Sequence, residues 1–208
     1  MGKKKWDLED IEQFILKSGS DDLPTFGGSF EGGCHCQQIY DEFSPMILEL
    51  INSGENLENY LEVGVAAGGT TKILNHFFKF KTSVLIDDNK HPKAQLRSQV
   101  LKDVNVKELI GNSFEMRIIV AAENLGPYDL IFIDGNHKLK FVELDAANYF
   151  PMLRKGGFIA FHDSVMEEWG VCKIVSDLRN DPSVNFIGEY VTKTNTRACG
   201  LALFQKAI

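Results

Sequence analysis

The sequence predicts an α/β fold: a doubly wound, mostly parallel sheet with N-terminal helices before it and an antiparallel hairpin at its C-terminal end. Three observations predict this class. Short apolar runs alternate with amphipathic segments, which implies right-handed crossovers between parallel strands. The first run ends in a glycine turn, and the last two runs are joined by a link too short for a crossover. With 208 residues, 44% of them hydrophobic, the chain can bury one full core.

The N-terminal part is expected to lie outside the sheet. Residues 6–17 carry an apolar stripe at helical spacing behind a candidate N-cap, Asp7. Residues 21–38 are rich in glycine and small polar side chains, which predicts a long loop, and we expect this loop to form a lid over the ligand site. Ser44-Pro45 predicts the start of the next helix.

Apolar runs predict the strands of the sheet. The parallel strands are expected at 59–63, 83–86, 104–110, 128–133 and 157–161. Helical patterns are found at 69–79, 114–123, 139–153 and 171–178. We expect Arg154-Lys155-Gly156-Gly157 to end the helix at 139–153. The hairpin is expected at 184–191 and 198–204, because a crossover needs a longer link than 192–197.

Polar side chains follow the parallel strands at the point where each strand ends. Parallel strands all point the same way, so these side chains are expected to meet at one edge of the sheet, where open α/β sheets bind ligands. They are Glu62, Asp87, Asn112, Asp134, His137, His162 and Asp163.

The turn after the first strand, Glu62 to Thr71, is the expected ligand loop. Its glycines permit positive φ or close backbone approach, and Thr70 or Thr71 is a candidate cap for the following helix. A dinucleotide fingerprint would need glycine in place of Ala66, and the Glu62 carboxylate would repel a pyrophosphate. The turn therefore favours a cationic ligand, while a strand–helix turn without any ligand remains the alternative.

The pattern E-V-G-x-x-x-G-G-T in this turn resembles the first motif of class I methyltransferases that use S-adenosyl-L-methionine (SAM). The terminal hairpin on a parallel sheet also resembles their Rossmann-like fold. This resemblance implies that residues 57–208 form a SAM-binding domain. Residues 1–56 would add a helical cap and the glycine-rich lid, within one structural domain overall.

The resemblance also implies which residues bind SAM. Glu62 would receive the amino-acid end, Asp87 would hold the ribose hydroxyls, and Asn112 would accept from the adenine amine. Asp87 is also a candidate turn residue, and Ser113 a candidate helix cap. The implied cofactor-binding set is Glu62, Gly64, Gly68, Thr70, Asp87, Asn112, Ser113 and Asp134.

A second pattern, I-D-G-x-H followed by G-G-x-x-x-x-H-D, resembles small-molecule O-methyltransferases of the macrocin and catechol types. In that branch an acid after the fourth strand and an acid pair after the fifth hold a divalent cation. Here Asp134 and Asp163 match, while His162 replaces the first acid of the pair. The resemblance implies a metal site at Asp134, His162 and Asp163 for Mg²⁺ or Mn²⁺, and the imidazole shifts its preference toward Mn²⁺, Fe²⁺ or Zn²⁺.

His137 is the candidate general base, with Asp134 as its catalytic partner, because an unperturbed imidazole titrates near neutral pH. Structural alternatives are a polar turn residue for His137, a helix cap for Asp163 and a packed neutral ring for His162. His35, His76 and His91 are part of no such pattern and are assigned to the surface.

Composition excludes several partners and sites. A net charge of −7 argues against nucleic acid and anionic membranes, which need a basic footprint. No run is long enough for a membrane span, and no signal peptide is evident, so a cytoplasmic protein is expected. Cys34-His35-Cys36 lacks the spacing of zinc sites, so the four cysteines are expected to be ordinary reduced thiols.

The two resemblances together imply a SAM-dependent methyltransferase that O-methylates a small hydroxylated acceptor. Alternatives are a nicotinamide-dependent oxidoreductase on a similar sheet and a SAM-binding domain without catalysis; nucleic-acid methylation is disfavoured because no base-flipping motif occurs. The acceptor would be chosen by the lid and by the 164–170 loop around Met166 and Trp169. The sequence permits a homo-oligomer but does not specify one.

Overall fold

In the computed structural model, which describes residues 6–21, 26, 32–194 and 197–207, seven strands form one sheet. The strands are β1 (Asn59–Val63), β2 (Thr82–Asp87), β3 (Val106–Ile110), β4 (Tyr128–Ile133), β5 (Leu153–His162), β6 (Val184–Tyr190) and β7 (Leu201–Lys206). Their order is β3-β2-β1-β4-β5-β7-β6. Strands β1 to β5 are parallel, and β7 is antiparallel to both β5 and β6. The predicted fold class is confirmed.

Helices cover both faces of this sheet. They are α1 (Leu8–Ser18), α2 (Tyr40–Asn52), α3 (Gly69–Phe78), α4 (Arg97–Val100), α5 (Met116–Glu123), α6 (Leu139–Tyr149) and α7 (Val171–Leu178). Short 3-10 turns cover Pro92–Leu96 and Phe150–Met152. None of the helices in the described ranges is both long and apolar enough to cross a bilayer.

The core is divided between the two faces because side chains alternate along each strand. On β4, Leu130 and Phe132 join the cluster under α1, α2 and α3, whereas Ile131 and Ile133 join the cluster under α5, α6 and α7. All six residues of β4 are buried. This burial on both faces explains why an uninterrupted apolar run encodes the strand.

Several element boundaries agree with the sequence prediction. Strands β1 and β4 and helix α7 have the expected bounds. Helix α1 begins directly after Asp7, whose Oδ1 accepts a hydrogen bond from the Asp10 N–H at 2.8 Å. Asp7 is therefore the N-cap that the sequence predicts.

The predicted start of α2 at Ser44-Pro45 is wrong. The helix begins at Tyr40 and contains Pro45 in its second turn. The acidic side chains Asp41 and Glu42 occupy its first turn, where they favour the helix N-terminus. Pro45 lacks only the N–H that would bond back to the first turn, and the helix continues past it.

The predicted end of the helix at 139–153 is also wrong. Helix α6 stops at Tyr149, just before Pro151, and residues 154–157 belong to β5. These residues form a bulge, because Tyr128 pairs with Leu153 while Leu130 already pairs with Phe158.

Candidate active site

A cavity of about 350 Å³ opens at the carboxyl edge of the sheet, between the loops that follow β1, β2, β3 and β4. Eight of the residues predicted to form the site line it: Glu62, Gly64, Thr70, Asp87, Asn112, Ser113, Asp134 and His137. Gly68, His162 and Asp163 are not part of its lining. The cavity thus lies where the parallel strands were expected to bring polar side chains together.

The glycine turn after β1 needs glycine for two different reasons. Gly64 has a φ of +83°, and a Cβ on it would lie 2.0 Å from the carbonyl oxygen of Asp134. Gly68 has a φ of +88° and is the N-cap residue of α3, without a side-chain cap. The expectation that Thr70 or Thr71 caps this helix is wrong, because both lie inside its first turn.

Glu62 is a buried carboxyl group on the cavity wall, only 1% exposed. Its Oε2 accepts hydrogen bonds from the Tyr60 hydroxyl at 2.9 Å and from the Thr71 hydroxyl. Among the described residues, no lysine or arginine forms an ion pair with it. Burial raises the pKa of Glu62 to about 8, although the two hydroxyl donors favour its charged form. The cavity therefore offers an unpaired acid to a cationic ligand.

Asp87, at the end of β2, holds the glycine turn in place. Its Oδ2 accepts from the backbone N–H groups of Val65 at 2.8 Å and Ala66 at 3.0 Å. Its Oδ1 accepts from the Asn89 N–H at 2.6 Å and lies 3.0 Å from Nη2 of Arg97. These contacts fix the carboxylate at the cavity wall.

Arg97 completes this support, and the sequence analysis missed it. The side chain is 2% exposed, and its Nε donates to the Ala66 carbonyl at 2.9 Å. Its Nη1 donates to Asn89 Oδ1 at 2.9 Å and to Glu108 Oε2 at 3.2 Å. Nothing in the local sequence distinguishes this arginine from a surface one, because its partners come from three other segments.

The turn after β3 forms the opposite wall. The Asn112 backbone N–H and side-chain amide both donate to Glu115 Oε1 at 3.0 Å. Ser113 is not the cap of α5, whose N-cap residue is Glu115, and its carbonyl accepts from the Tyr149 hydroxyl at 2.5 Å. The ring of Phe114, which stacks on the ring of Phe141, lies beside this turn on the cavity wall.

Two carboxylates and two imidazoles meet at the ends of β4 and β5. His162 Nδ1 lies 3.0 Å from Asp134 Oδ1 and 3.2 Å from Asp163 Oδ2. His137 Nε2 lies 3.0 Å from Asp163 Oδ2 and 3.7 Å from Asp134 Oδ1. The residues of both predicted sequence patterns are therefore in direct contact.

A family model described as a methyltransferase domain matches residues 61–164. The chain belongs to this methyltransferase family. The matched range begins within β1 and includes all eleven residues that were predicted to form the site. A curated relative, the uncharacterized protein R132 of Acanthamoeba polyphaga mimivirus, is 27% identical over 146 residues. That match covers 60% of this methyltransferase and 66% of the relative.

Solved structures share the methyltransferase fold at low sequence identity. The O-methyltransferase TomG of Streptomyces achromogenes, solved with SAM, has a TM-score of 0.66 and 15% identity, over 98% of this chain and 92% of TomG. MycE of the mycinamycin pathway, solved with Mg, SAH and mycinamycin VI, has a TM-score of 0.63 and 18% identity, over 99% of this chain and 56% of MycE. These comparisons confirm the Rossmann-like fold.

The cluster at the ends of β4 and β5 strongly perturbs its own ionisation. Burial of His137 opposes its protonation, but the Asp134 and Asp163 carboxylates outweigh this effect and raise the pKa of His137 to about 9. The same pairing holds the pKa of Asp134 well below its usual range, against the effect of burial. In the ligand-free methyltransferase His137 is therefore protonated at neutral pH, and the expectation of an unperturbed imidazole is wrong.

The cluster also contains candidate metal ligands. Asp134, His137 and Asp163 each bring one ligand atom within 4.8 Å of the other two, and His162, Asp163 and Cys199 do the same. In the first set, His137 takes the position that the sequence analysis gave to His162. Two carboxylates and one imidazole suit Mn²⁺, Fe²⁺ or Zn²⁺ as well as Mg²⁺.

Three residues of the predicted lid also line the cavity: His35, Gln37 and Gln38. Gln38 donates from Nε2 to Asp134 Oδ2 at 2.9 Å. His35 also lines the cavity, with its Nδ1 2.6 Å from Asp21 Oδ1, so its assignment to the surface is wrong. Much of the predicted lid, residues 22–25 and 27–31, lies outside the described residues.

Trp169 stacks on His137 with ring centroids 4.0 Å apart and an angle of 15° between the ring planes. The neighbouring Gly170 N–H donates to the His137 carbonyl at 2.8 Å. The 164–170 loop, which was expected to help choose the acceptor, therefore contacts the candidate catalytic histidine.

Proposed function

We propose that this methyltransferase transfers a methyl group from SAM to a hydroxyl oxygen of a small acceptor. One observation carries the proposal: Glu62 is a buried acid on the cavity wall, directly before a glycine turn, with no basic partner among the described residues. The ammonium group of SAM would stabilise the ionised form of Glu62, which burial disfavours, whereas a pyrophosphate would find no matching charge there. The SAM complex of the similarly folded TomG supports this choice of donor.

The donor would extend from Glu62 across the cavity to the turn after β3. Gly64, Gly68 and Thr70 would bind its amino-acid end. Asp87 would contact the ribose while it also supports the turn, and Asn112 with Ser113 would contact the adenine. When bound, SAM supplies an electrophilic methyl carbon attached to a sulfonium.

The acceptor would enter beside His137 and Trp169. Methyl transfer is an in-line displacement, so the protein mainly aligns the acceptor, excludes water and accepts its proton. We assign the proton to His137, which lines the cavity and contacts both carboxylates of the cluster. His137 must first lose the proton that these carboxylates stabilise.

A divalent metal is part of the proposal. Asp134 and Asp163 would hold it together with the imidazole of His162, which leaves His137 free to accept the proton, and the ion would orient the acceptor oxygens and acidify the hydroxyl. The mixed donor set of two carboxylates and a histidine fits such an ion. MycE, which has the same fold, was solved with Mg.

The test has two stages. Calorimetric titration with SAM, SAH and NAD, each with and without Mg²⁺ or Mn²⁺, should show binding of SAM and SAH and none of NAD. Methyl-labelled SAM is then offered with a panel of phenols, catechols and sugar hydroxyls. Label transferred to oxygen supports the proposal, whereas binding of NAD alone would overturn it. SAM binding without transfer to any acceptor would instead favour a non-catalytic SAM-binding domain.

A further inference from the structure

Gln38 connects the two halves of the cavity. The side chain is 1% exposed and lines the cavity, at the end of the segment that precedes α2. Its Nε2 donates to Asp134 Oδ2 at 2.9 Å and lies 3.2 Å from Thr70 Oγ1. A single amide thus joins two parts of the site. One is the first turn of α3, on the side proposed to bind SAM, and the other is the acid–imidazole cluster at the ends of β4 and β5.

These contacts fix the orientation of the amide. Reversing it would place Oε1, which can only accept, against the carboxylate of Asp134. With Nε2 held in this way, Oε1 is buried and has no hydrogen-bond partner in the described part of the chain. A buried acceptor left in this state is costly, so an N–H donor from a ligand would be well matched to it.

We propose that Gln38 is a binding residue for the amino-acid end of the methyl donor. Its Oε1 accepts a hydrogen bond from the donor's α-ammonium, while its Nε2 holds Asp134 in position. The inference rests on the proposed function. An ammonium has three N–H donors, so Glu62 and Gln38 can each accept one of them. Both side chains line the same cavity and contact adjacent threonines in the first turn of α3.

Gln38 also gives the N-terminal segment a direct part in the site. The residue lies 96 positions before Asp134 in sequence, outside the range matched by the family model. Residues before β1 would then take part in donor binding instead of only covering the sheet.

The test compares two ligands that differ only at the end in question. SAH carries the homocysteine amino-acid group, whereas 5′-methylthioadenosine keeps the adenosine and sulfur but has a methyl group in place of the chain that bears the ammonium and the carboxylate. Calorimetry on the full chain should show that Gln38→Met binds SAH about 10-fold to 100-fold more weakly, the usual effect of losing a hydrogen bond to a charged group. Its affinity for 5′-methylthioadenosine should remain within about 2-fold of the wild-type value.

A matched control is Gln205→Met. Gln205 lies on β7 and donates to the Gly156 carbonyl at 3.0 Å, so this change also removes one glutamine hydrogen bond, but outside the cavity. It should leave the affinities for both ligands unchanged. Gln38→Asn is the second variant; it keeps the amide but shortens it by one methylene, and it should show the same selective loss if the Met variant does not fold.

The outcomes separate the two proposals. Wild-type protein that fails to bind SAH contradicts the proposed function itself. If the wild type binds SAH, then unchanged SAH affinity in a folded Gln38 variant overturns the role of Gln38. Equal weakening of both ligands overturns it as well, because that would show a packing role without recognition of the ammonium.

Discussion

A Cβ atom on Gly64 would lie 2.0 Å from the carbonyl oxygen of Asp134. The Asp134 N–H also donates to the Val63 carbonyl at 2.8 Å, so the turns after β1 and β4 are in contact along their backbones. This contact brings the Glu62 side of the cavity next to the acid–imidazole cluster. The close approach of the methyl-donor and methyl-acceptor sides of the cavity therefore requires a residue without a side chain at position 64.

The change Gly64→Ala should separate these turns. It adds the clash and forces a non-glycine residue to a φ of +83°, a strain of about 1–3 kcal/mol from the backbone alone. We expect a lower melting temperature and loss of SAH binding, measured by calorimetry. Gly54→Ala is the control, because Gly54 has a φ of +71° but open space around it. Its SAH affinity should be that of the wild type, and intact SAH binding by Gly64→Ala would contradict the account.

The change Glu62→Gln should alter how stability depends on pH. The folded-state pKa of Glu62 is about 8, above its ordinary value of 4.5, so the folded chain binds more protons than the unfolded chain between these values. The contribution of Glu62 to the free energy of unfolding is therefore fully present below pH 4.5 and is lost as pH rises through 8. Over that range the free energy of unfolding falls by up to about 1.4 kcal/mol per pH unit. Urea unfolding from pH 5 to 9 should show a smaller decline in Glu62→Gln than in the wild type. Identical slopes would show that Glu62 ionises at its ordinary pKa.

The change His137→Ala should reduce turnover while leaving the donor bound. Loss of a positioned acid–base group lowers kcat by about 100-fold to 10,000-fold. SAM affinity should stay nearly unchanged, since the histidine is assigned to the acceptor side. Steady-state kinetics and SAM titration measure the two effects separately. A parallel loss of turnover and SAM affinity would refute the assigned role.

The change Arg97→Met should destabilise the glycine turn after β1 and the end of β2, which Arg97 connects. It leaves Asp87 without its buried cationic partner and removes the donor to the Ala66 carbonyl, a loss of about 3–5 kcal/mol for a broken buried pair. Lys173→Met is the comparison, because Lys173 pairs with Asp177 on an exposed face of α7 and should cost no more than about 0.5 kcal/mol. Urea unfolding at neutral pH gives both values. Equal effects of the two substitutions would show that Arg97 does not support the turn.

Local patterns predict much of this structure. The bounds of β1 and β4 were correct because short apolar runs end at glycine and acidic residues, and parallel pairing then brought the polar ends together. The end of α6 was missed because residues 154–157 form a bulge that depends on pairing with β4. Helix α2 was placed too late because proline was taken as its start.

Contacts between distant segments could not be read from the sequence. Gln38 and Asp134 meet across 96 residues, and Arg97 is buried only because the glycine turn and β3 surround it. The raised pKa of His137 has the same origin, since one of its two carboxylate partners, Asp163, follows a different strand. The residue type identified His137 as a candidate base, but its protonation state depends on contacts that only the fold creates.

The most direct test of the central claim is a crystal structure of the protein with SAH. We expect the amino-acid end of SAH to lie against Glu62 and the glycine turn, with the adenine toward Asn112. An empty cavity at saturating SAH, or SAH bound with its ammonium away from Glu62, would contradict the account.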